Sequence, residues 1–403
     1  MRRKKILLIA EAVTLAHVGR LLTLAQGLPP EQHEIHFACA DGYDFCFQGS
    51  TFQRWRIDSI TPQQFLQALA QGSPVYGEAT LQAYVADDVR LLQAVQPDLV
   101  IGDFRLSLSV SARLQQIPYI TISNAYWSPH VHQHYTVPAL PMTRTLPIWL
   151  ADALFRLVRP LAFASHAMPL NRVRRRHGLP SLGSDLRRIY TDADHTLYAD
   201  IAELFGSPAM PAGHGFLGAV TWAPPVAMPP WWQQSVLDSS RPIVYVTLGS
   251  SGRAQLLPCV LRALAPLPVT VVAATAGNID LAGVPSNAVV APFLPGDAAA
   301  RHASIVICNG GSPTSHQALR AGVPVIGIAG NLDQFLNMHA IVGAGAGALL
   351  RADRLQETVL RELCTRLLAD PQARRAARHL AWLFGQYQPI ARLQASMAEL
   401  LPA

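Results

Sequence analysis

The sequence predicts an α/β protein with two doubly wound, Rossmann-like domains in tandem, each built on a parallel sheet. Short apolar runs alternate with helical stretches through the first half of the chain, and the same alternation restarts at residue 243. A segment rich in proline, residues 206–232, separates the two halves. The length of 403 residues fits two large domains. We expect the domains to face each other across a cleft at the carboxyl ends of their strands.

The domain boundaries follow from these shifts in composition. The sequence predicts an N-terminal domain at 1–215, a Pro-rich linker at 216–240 and a C-terminal domain at 241–378. The last stretch, 379–403, is predicted as a helix that returns to the N-terminal domain.

In the first domain, apolar runs predict strands at 6–11, 35–40, 98–103 and 119–123. Helices are expected at 18–26, where Gly27 and Pro29 end the periodic pattern, and at 109–115. In the second domain, strands are expected at 243–248, 269–273, 304–308 and 323–328, and helices at 361–368 and 373–384. The glycines from Gly343 to Gly347 follow a helix instead of a strand, so they indicate a helix stop and not a dinucleotide-binding turn.

Composition limits the class of protein. Hydrophobic residues make up 50% of the chain and charged residues 14%, which excludes a disordered protein. No run of about 18 apolar residues occurs, so we expect a soluble or surface-bound protein. The net charge of +6 is scattered, which argues against a nucleic-acid partner. Five cysteines without C-x-x-C spacing predict free thiols and a cytoplasmic location.

Residues 308–324, CNGGSPTSHQALRAGVP, carry the most informative motif. A buried strand runs into Gly310 and Gly311, and Ser312 is the expected cap of the helix that follows. Glycines allow close approach of a ligand, and a helix N-terminus offers N–H groups with partial positive charge. The pattern therefore predicts a phosphate site, although a tight strand-to-helix turn is the structural alternative. Asp333 and Gln334 follow the next strand and could bind sugar hydroxyls or simply begin a helix.

This combination resembles glycosyltransferase family one, the nucleotide-sugar transferases of GT-B fold that include bacterial macrolide glycosyltransferases. The resemblance covers nearly the whole chain and is sharpest over residues 244–347. It implies a nucleotide-diphosphate sugar, UDP-linked by expectation, as co-substrate, with no cofactor and no metal. By the same match the donor would be bound by Ser250, Phe293, Leu294, Asn309, Gly310, Gly311, Ser312, Thr314, Gln317, Asp333 and Gln334. Phe293 would stack on the base, Ser250 and Thr314 would contact the diphosphate, and Asp333 and Gln334 would hold the sugar.

Two positions depart from the family pattern. Asn309 stands where the family has a histidine that contacts phosphate, and Gln317 replaces the glutamate that commonly binds the ribose. Neither residue carries a charge, so a nucleotide-sugar-binding protein without catalysis stays an alternative to the enzyme.

The resemblance also places the catalytic base in the N-terminal domain. His17 lies in the segment between the first strand and helix, where the family has its catalytic histidine, and Asp103 ends the strand where the family has the partner aspartate. It implies a hexosyltransferase that acts with inversion at the anomeric carbon. Taken alone, His17 would first suggest a helix-capping role, and it is the resemblance that favours catalysis.

The acceptor is expected to be a hydrophobic small molecule or a lipid. Phe104, Tyr126, Trp127 and Trp149 are candidates for an apolar wall. Residues 146–176 combine apolar side chains with arginines, which fits either a helix over the acceptor site or peripheral contact with the inner face of a membrane during glycolipid formation. Asp192 and Asp194 spell the D-x-D of metal-dependent transferases of another fold, and we interpret them as a turn.

Overall fold

A computed structural model describes residues 2–249, 252–277 and 283–401. The strands are β1 (Lys4–Ala10), β2 (His33–Cys39), β3 (Gln53–Arg56), β4 (Leu99–Asp103), β5 (Tyr119–Ser123), β6 (His195–Tyr198), β7 (His214–Phe216), β8 (Ile243–Thr247), β9 (Thr270–Ala274), β10 (Ala288–Ala291), β11 (Ile305–Cys308), β12 (Val325–Ala329) and β13 (Gly347–Arg351). The helices are α1 (Leu15–Gly27), α2 (Pro62–Gln71), α3 (Glu78–Val95), α4 (Leu108–Leu114), α5 (Met142–Thr145), α6 (Ile148–Arg176), α7 (Leu186–Tyr190), α8 (Leu257–Leu264), α9 (Gly296–His302), α10 (Ser312–Arg320), α11 (Leu332–Gly343), α12 (Glu357–Ala369), α13 (Pro371–Gly385) and α14 (Pro389–Leu400).

The strands form two fully parallel sheets. The first has the order β3-β2-β1-β4-β5-β6-β7 and the second the order β10-β9-β8-β11-β12-β13. The central strands β4, β5, β8, β11 and β12 are fully buried and mostly apolar, as expected of a parallel sheet covered by helices on both faces. Each order reverses direction once, between β1 and β4 and between β8 and β11, and ligands bind at such switch points. The prediction of two doubly wound domains is confirmed.

The chain divides into two compact units that are not continuous in sequence. The first contains Met1–His132, Asp152–Val220 and Tyr387–Ala403, and the second contains Gln133–Ala151 and Thr221–Gln386. This differs from the sequence prediction, which assigns residues 133–151 to the N-terminal domain at 1–215. In the second unit this segment is held by hydrogen bonds such as those from Ala139 N to Gly330 O and from Arg351 Nη1 to Val137 O.

The C-terminal helix α14 belongs to the first unit, where it packs against α1. The Cβ that a side chain at Gly27 would add lies 2.3 Å from Cδ1 of Ile390. A side chain at the end of α1 would therefore require Ile390 of α14 to move.

The cysteines, the helices and the glycine-rich stretch bear on predictions made from composition and spacing. All five cysteines are free thiols, as expected. Within the described ranges, no helix is long and apolar enough to cross a membrane. Gly347 begins β13 and Gly343 ends α11, so the glycine-rich stretch between them is the predicted helix stop.

Candidate active site

A histidine and an aspartate meet at the carboxyl edge of the first sheet. His17 is the third residue of α1, which follows β1, and Asp103 is the last residue of the adjacent strand β4. His17 Nδ1 lies 2.8 Å from Asp103 Oδ1. The histidine side chain is 17% exposed and the aspartate side chain only 1%. The two residues proposed as base and partner are thus in direct contact at the topological switch point.

The hydrogen bond determines which ring nitrogen of His17 is basic. An ionised carboxylate can only accept hydrogen bonds, so Nδ1 carries the proton that is donated to Asp103. Nε2 is left with the lone pair. Burial alone raises the pKa of Asp103, but the charges of Arg20 and His17 outweigh burial and hold this pKa below its ordinary value. Asp103 is therefore ionised at neutral pH and can stabilise a protonated His17.

Arg20, which the sequence analysis did not single out, lies one turn after His17 on α1. Its Nε donates to Asp103 Oδ2 at 2.6 Å and its Nη2 donates to Asp103 Oδ1 at 2.8 Å. The (i, i+3) spacing places both side chains on one helix face, and this spacing was the signal available in the sequence.

A second buried ion cluster supports the loops that carry this pair. Arg105 is completely buried, and its Nη1 donates to Glu11 Oε2 at 2.9 Å while its Nε donates to Asp88 Oδ1 at 3.0 Å. Glu11 directly follows β1, and Arg105 comes two residues after Asp103. Burial raises the pKa of Glu11 more than the Arg105 charge lowers it. The cluster ties together the ends of β1 and β4.

Aromatic side chains surround the imidazole of His17. The ring of Phe104 stacks on it, with centroids 5.0 Å apart and planes inclined by 7°. Phe104 has a left-handed φ of 59°, which is strained for a residue with a side chain. Tyr190 contacts Phe104 at 5.4 Å. Phe104 therefore lies directly beside His17.

The other acceptor candidates lie in different surroundings. Trp127 contacts Tyr190 edge-on at 5.0 Å, so it continues the aromatic cluster. Tyr126 is 1% exposed, which makes it part of the core. Trp149 lies near the start of α6 with 72% of its surface exposed. The described geometry brings Phe104 and Trp127 together through Tyr190.

The glycine loop of the second unit lies between β11 and α10. Gly310 has φ of +81°, and a Cβ there would lie 2.8 Å from Met338 Cγ, so the turn requires glycine. Asn337 Nδ2 donates to the carbonyl oxygen of Gly310 at 2.8 Å and to Ser315 Oγ at 2.9 Å. Gly311 N donates to Asn309 Oδ1 at 3.1 Å. The buried Asn337, whose role the sequence analysis missed, thus fixes the shape of the loop.

The cap of α10 differs from the prediction. Gly311, and not Ser312, is the N-cap residue, and no side chain caps the helix. Ser312 is instead the first residue of the helix, followed by Pro313. The chain turns one residue earlier because the extended backbone of Gly311 already supplies the cap geometry. Thr314 lies in this first turn, whose N–H groups are not capped by a side chain.

The loop after β8 packs against the glycine loop. Ser250, a predicted diphosphate contact, lies outside the described residues. A Cβ at Gly252 would lie 3.0 Å from Asn309 Cβ. Arg253 follows Gly252 and lies near Gly330. A Cβ at Gly330 would be 3.6 Å from Arg253 Nε and 3.8 Å from Gln334 Oε1. A guanidinium group that the sequence analysis did not name therefore lies beside the predicted sugar-binding residues.

The predicted sugar-binding pair, Asp333 and Gln334, lies in the first turn of α11. Asn331 and Gln334 form a capping box, and Gln334 Oε1 accepts hydrogen bonds from Gly330 N at 2.8 Å and Asn331 N at 3.3 Å. Asp333, between them, is half-buried. The capping role suggested by the residue types is thus present for Gln334, and its amide nitrogen is the group that can still donate to a ligand.

Two of the predicted nucleoside contacts, Phe293 and Leu294, follow β10, and the third, Gln317, lies on α10. The half-buried ring of Phe293 lies beside Gly277, 3.5 Å from the Cβ position of that glycine, and Leu294 is buried. Gln317 Nε2 donates to Trp222 O at 2.9 Å, and a Cβ at Gly296 would lie 2.5 Å from Gln317 Oε1. The amide of Gln317 is therefore packed within the protein.

The two aspartates of the D-x-D sequence have structural partners. Asp192 accepts hydrogen bonds from Arg113 and Arg174, and Asp194 accepts one from Tyr119 N at 2.8 Å. Among the residues that the structure describes, no group of three or more acidic, histidine or cysteine side chains has the arrangement of a metal site.

Sequence comparisons relate the chain to proteins of known class. A model of the erythromycin biosynthesis protein CIII-like C-terminal domain matches residues 259–383. A PGL/p-HBAD biosynthesis rhamnosyltransferase of Mycobacterium bovis is 52% identical over 385 residues, covering 96% of this chain and 85% of the relative. A PGL/p-HBAD biosynthesis glycosyltransferase of Mycobacterium tuberculosis is 50% identical, covering 95% and 89%. A protein of Mycobacterium bovis described as an inactive PGL/p-HBAD biosynthesis glycosyltransferase is 48% identical, covering 65% and 71%.

Solved structures share the fold. The glycosyltransferase of kitacinnamycin has a TM-score of 0.73 and 18% identity, with all of both chains covered. The spinosyn rhamnosyltransferase complexed with thymidine diphosphate has a TM-score of 0.67 and 20% identity, covering 97% of this chain and 99% of that one. These similarities extend over both units of the chain.

Proposed function

The chain belongs to the bacterial glycosyltransferases of family one, which have the GT-B fold, and we propose that it transfers a sugar with inversion from a nucleoside diphosphate to a hydroxyl group of a phenolic or lipid acceptor. Glycosyl transfer itself follows from the family. The contact between His17 and Asp103 is the observation that carries the proposed mechanism.

In this mechanism His17 Nε2 takes the proton of the acceptor hydroxyl. The acceptor oxygen then attacks the anomeric carbon, the bond to the diphosphate breaks, and the nucleoside diphosphate leaves with the electron pair. Asp103 stabilises the imidazolium that forms. A single displacement of this kind inverts the anomeric centre. Comparison of the anomeric configuration of donor and product by NMR tests this, and retention would contradict the mechanism.

The second unit is proposed to bind the donor. The N–H groups in the first turn of α10 and the loop at Gly310 would bind the diphosphate, where the helix dipole favours negative charge. Arg253 would add the positive charge that Asn309 lacks. These groups would stabilise the leaving diphosphate, so the mechanism requires no metal.

For the donor sugar we propose rhamnose or a related hexose on a pyrimidine nucleoside diphosphate. The 52% identical relative is a rhamnosyltransferase, and a structural neighbour was crystallised with thymidine diphosphate. The family resemblance alone favours UDP. Thermal-shift measurements with UDP- and dTDP-linked rhamnose and glucose separate these, because the nucleotide that binds most tightly raises the melting temperature most. No shift with any of the four would contradict a pyrimidine donor.

For the acceptor we propose an alkylated phenol or a phenolic lipid, since the relatives are named for PGL/p-HBAD biosynthesis. The aromatic cluster around His17 suits an aromatic ring next to the base. Transfer to 4-heptylphenol and to an aliphatic alcohol of equal length distinguishes the two classes. Preference for the aliphatic alcohol would contradict a phenolic acceptor.

A lipid acceptor is favoured further by the outer face of α6, which we propose contacts an anionic membrane at the cytoplasmic side. Leu157 and Leu161 are 75% and 73% exposed, one turn apart. Arg156 and Arg176 have side chains that are 60% and 63% exposed, whereas Asp152 and Glu78, their acidic partners, are 14% and 22% exposed. Apolar side chains flanked by arginines fit the surface of an anionic bilayer. Buried residues on the opposite face, including Phe155 and Phe163, attach the helix to the protein.

Sedimentation with vesicles tests this surface. Wild type should bind phosphatidylglycerol vesicles and not phosphatidylcholine vesicles, and Leu157→Glu/Leu161→Glu should bind at least tenfold less. The matched control is Val342→Glu/Val359→Glu, which alters two exposed valines elsewhere. The rate of sugar transfer to 4-heptylphenol should be the same in wild type and in both double variants. Unaltered vesicle binding by the leucine variant, or a dimer that this variant abolishes, would contradict membrane contact.

The alternative of a nucleotide-sugar-binding protein without catalysis is tested by donor hydrolysis. The relative described as inactive makes this alternative worth testing. An enzyme with this base should slowly hydrolyse its donor, and His17→Ala should not. If the protein only binds the donor, neither wild type nor His17→Ala should hydrolyse it. The contact between His17 and Asp103 favours the enzyme.

A further inference from the structure

Arg20 is a buried cation that the proposed mechanism does not use directly. Its side chain is 9% exposed and forms a two-pronged contact with Asp103. Asp103 Oδ1 therefore accepts hydrogen bonds from both His17 and Arg20. The negative charge that His17 meets is already shared with a guanidinium group, which is a different electrostatic setting from a histidine paired with an aspartate alone.

Further hydrogen bonds hold Arg20 in place. Its Nη1 donates to Asn124 Oδ1 at 2.8 Å, and Asn124 Nδ2 donates to Asp200 Oδ2 at 3.1 Å. Ala125 N also donates to Asp200 Oδ2, at 2.6 Å. Asn124 follows β5 and Asp200 follows β6, so the network runs along the carboxyl edge of four adjacent strands. Arg20 cannot turn away from Asp103 without breaking it.

We infer that Arg20 is a positioning residue that sets the pH range in which His17 acts as a base. By balancing the charge of Asp103, it limits how strongly the protonated form of His17 is stabilised, so the base stays available at lower pH. The inference rests on the proposed role of His17. Arg20 also fixes the orientation of the Asp103 carboxylate, because the planar guanidinium group donates to both carboxylate oxygens in one geometry.

Among the residues that the structure describes, no cation besides Arg20 and His17 forms an ion pair with Asp103. Asp103 faces the ring from β4, and Arg20 acts through Asp103 from α1. Phe104, which is uncharged, stacks on the ring. Tyr76 and Tyr190 contact Phe104. Asp200 and Tyr126 influence Arg20 more weakly than Asp103 does.

The test is the pH profile of kcat/KM for dTDP-rhamnose and 4-heptylphenol between pH 5 and 9. Arg20→Met leaves Asp103 unbalanced, so the acidic limb should move to higher pH by about one unit. Asp103→Asn leaves the cation alone and should move the limb to lower pH. In the double variant both charges are gone, and the limb should return close to that of wild type.

Two further variants separate this role from simple support of the fold. Arg20→Lys keeps the charge but loses the fork, so its limb should stay near wild type while kcat falls. Arg174→Met is the matched control, because Arg174 is a buried arginine, 3% exposed, bonded to Asp192 at 2.7 Å. It should lose stability without moving the limb. If Arg20→Met does not fold, the double variant measured against Asp103→Asn shows the effect of removing the Arg20 charge.

An unmoved limb in Arg20→Met, or an equal shift in Arg174→Met, would overturn the inference. If the double variant carries the test, a limb displaced from wild type as far as in Asp103→Asn would also overturn it. Failure of the proposed function can be distinguished from failure of the inference about Arg20. If His17 is not the base, His17→Ala should transfer sugar at the wild-type rate. Loss of transfer in His17→Ala together with an unmoved limb in Arg20→Met would reject the role of Arg20 alone.

Discussion

Replacing Asn337 with alanine removes the two hydrogen bonds that fix the glycine loop of the second unit. At about 1 kcal/mol for each bond, the loss is about 2 kcal/mol of stability. For a unit of this size that lowers the melting temperature by roughly 4–8 °C. Because the loop at Gly310 is proposed to bind the diphosphate, we expect the dissociation constant for dTDP or UDP to rise about tenfold. Thermal unfolding and calorimetric titration measure the two effects separately.

Asn287 provides the matched control. It is an asparagine of the same unit whose Nδ2 donates to the carbonyl oxygens of Leu264, Leu267 and Val269. Asn287→Ala should lower the melting temperature by a similar amount and leave nucleotide affinity unchanged. Equal loss of affinity in both variants, or unchanged affinity in Asn337→Ala, would refute the assignment of this loop to the donor.

Three further predictions follow from single residues. Asn309→His should keep turnover within about tenfold, because one neutral donor replaces another, and complete loss of turnover would contradict its placement. Arg253→Met should raise KM for the donor about tenfold with little change in KM for the acceptor, as steady-state kinetics would show; equal changes in both would argue against a diphosphate contact. Burial, and then the neighbouring His130 and His195, lower the pKa of His214 from 6.5 to about 4, so its contribution to stability is lost as pH falls from 6.5 towards 4. Urea unfolding should be measured at about pH 6.5 and about pH 4. Between these, the free energy of unfolding should fall by roughly 2 kcal/mol more in wild type than in His214→Gln, after allowance for the partial exposure of the side chain.

Much of the architecture was predictable because it depends on local patterns. The central parallel strands are apolar runs, and residues that follow such strands collect at one edge of the sheet. That rule, together with the resemblance, was enough to bring His17 and Asp103 together across 86 positions. The glycine loop before α10 was recognisable for the same reason.

The buried polar contacts were not predictable in this way. Arg105 reaches Glu11 across 94 positions, and this pairing depends on the order of the strands and on which loops pack beneath them. The amide of Gln317 bonds to Trp222 O because Gly296 leaves room beside it. Residues 133–151 are held within the second unit through backbone groups such as Val137 O, and composition does not report such contacts. Such contacts arise from tertiary packing and leave no periodic signal.

The central claim is that His17 is the base of the transfer. The most direct test is the rate of sugar transfer to 4-heptylphenol by His17→Ala, measured at saturating donor. Loss of a general base predicts a fall in kcat of about 10³, with nucleotide affinity within about twofold of wild type because the proposed donor site is in the other unit. Turnover within tenfold of wild type would contradict the account.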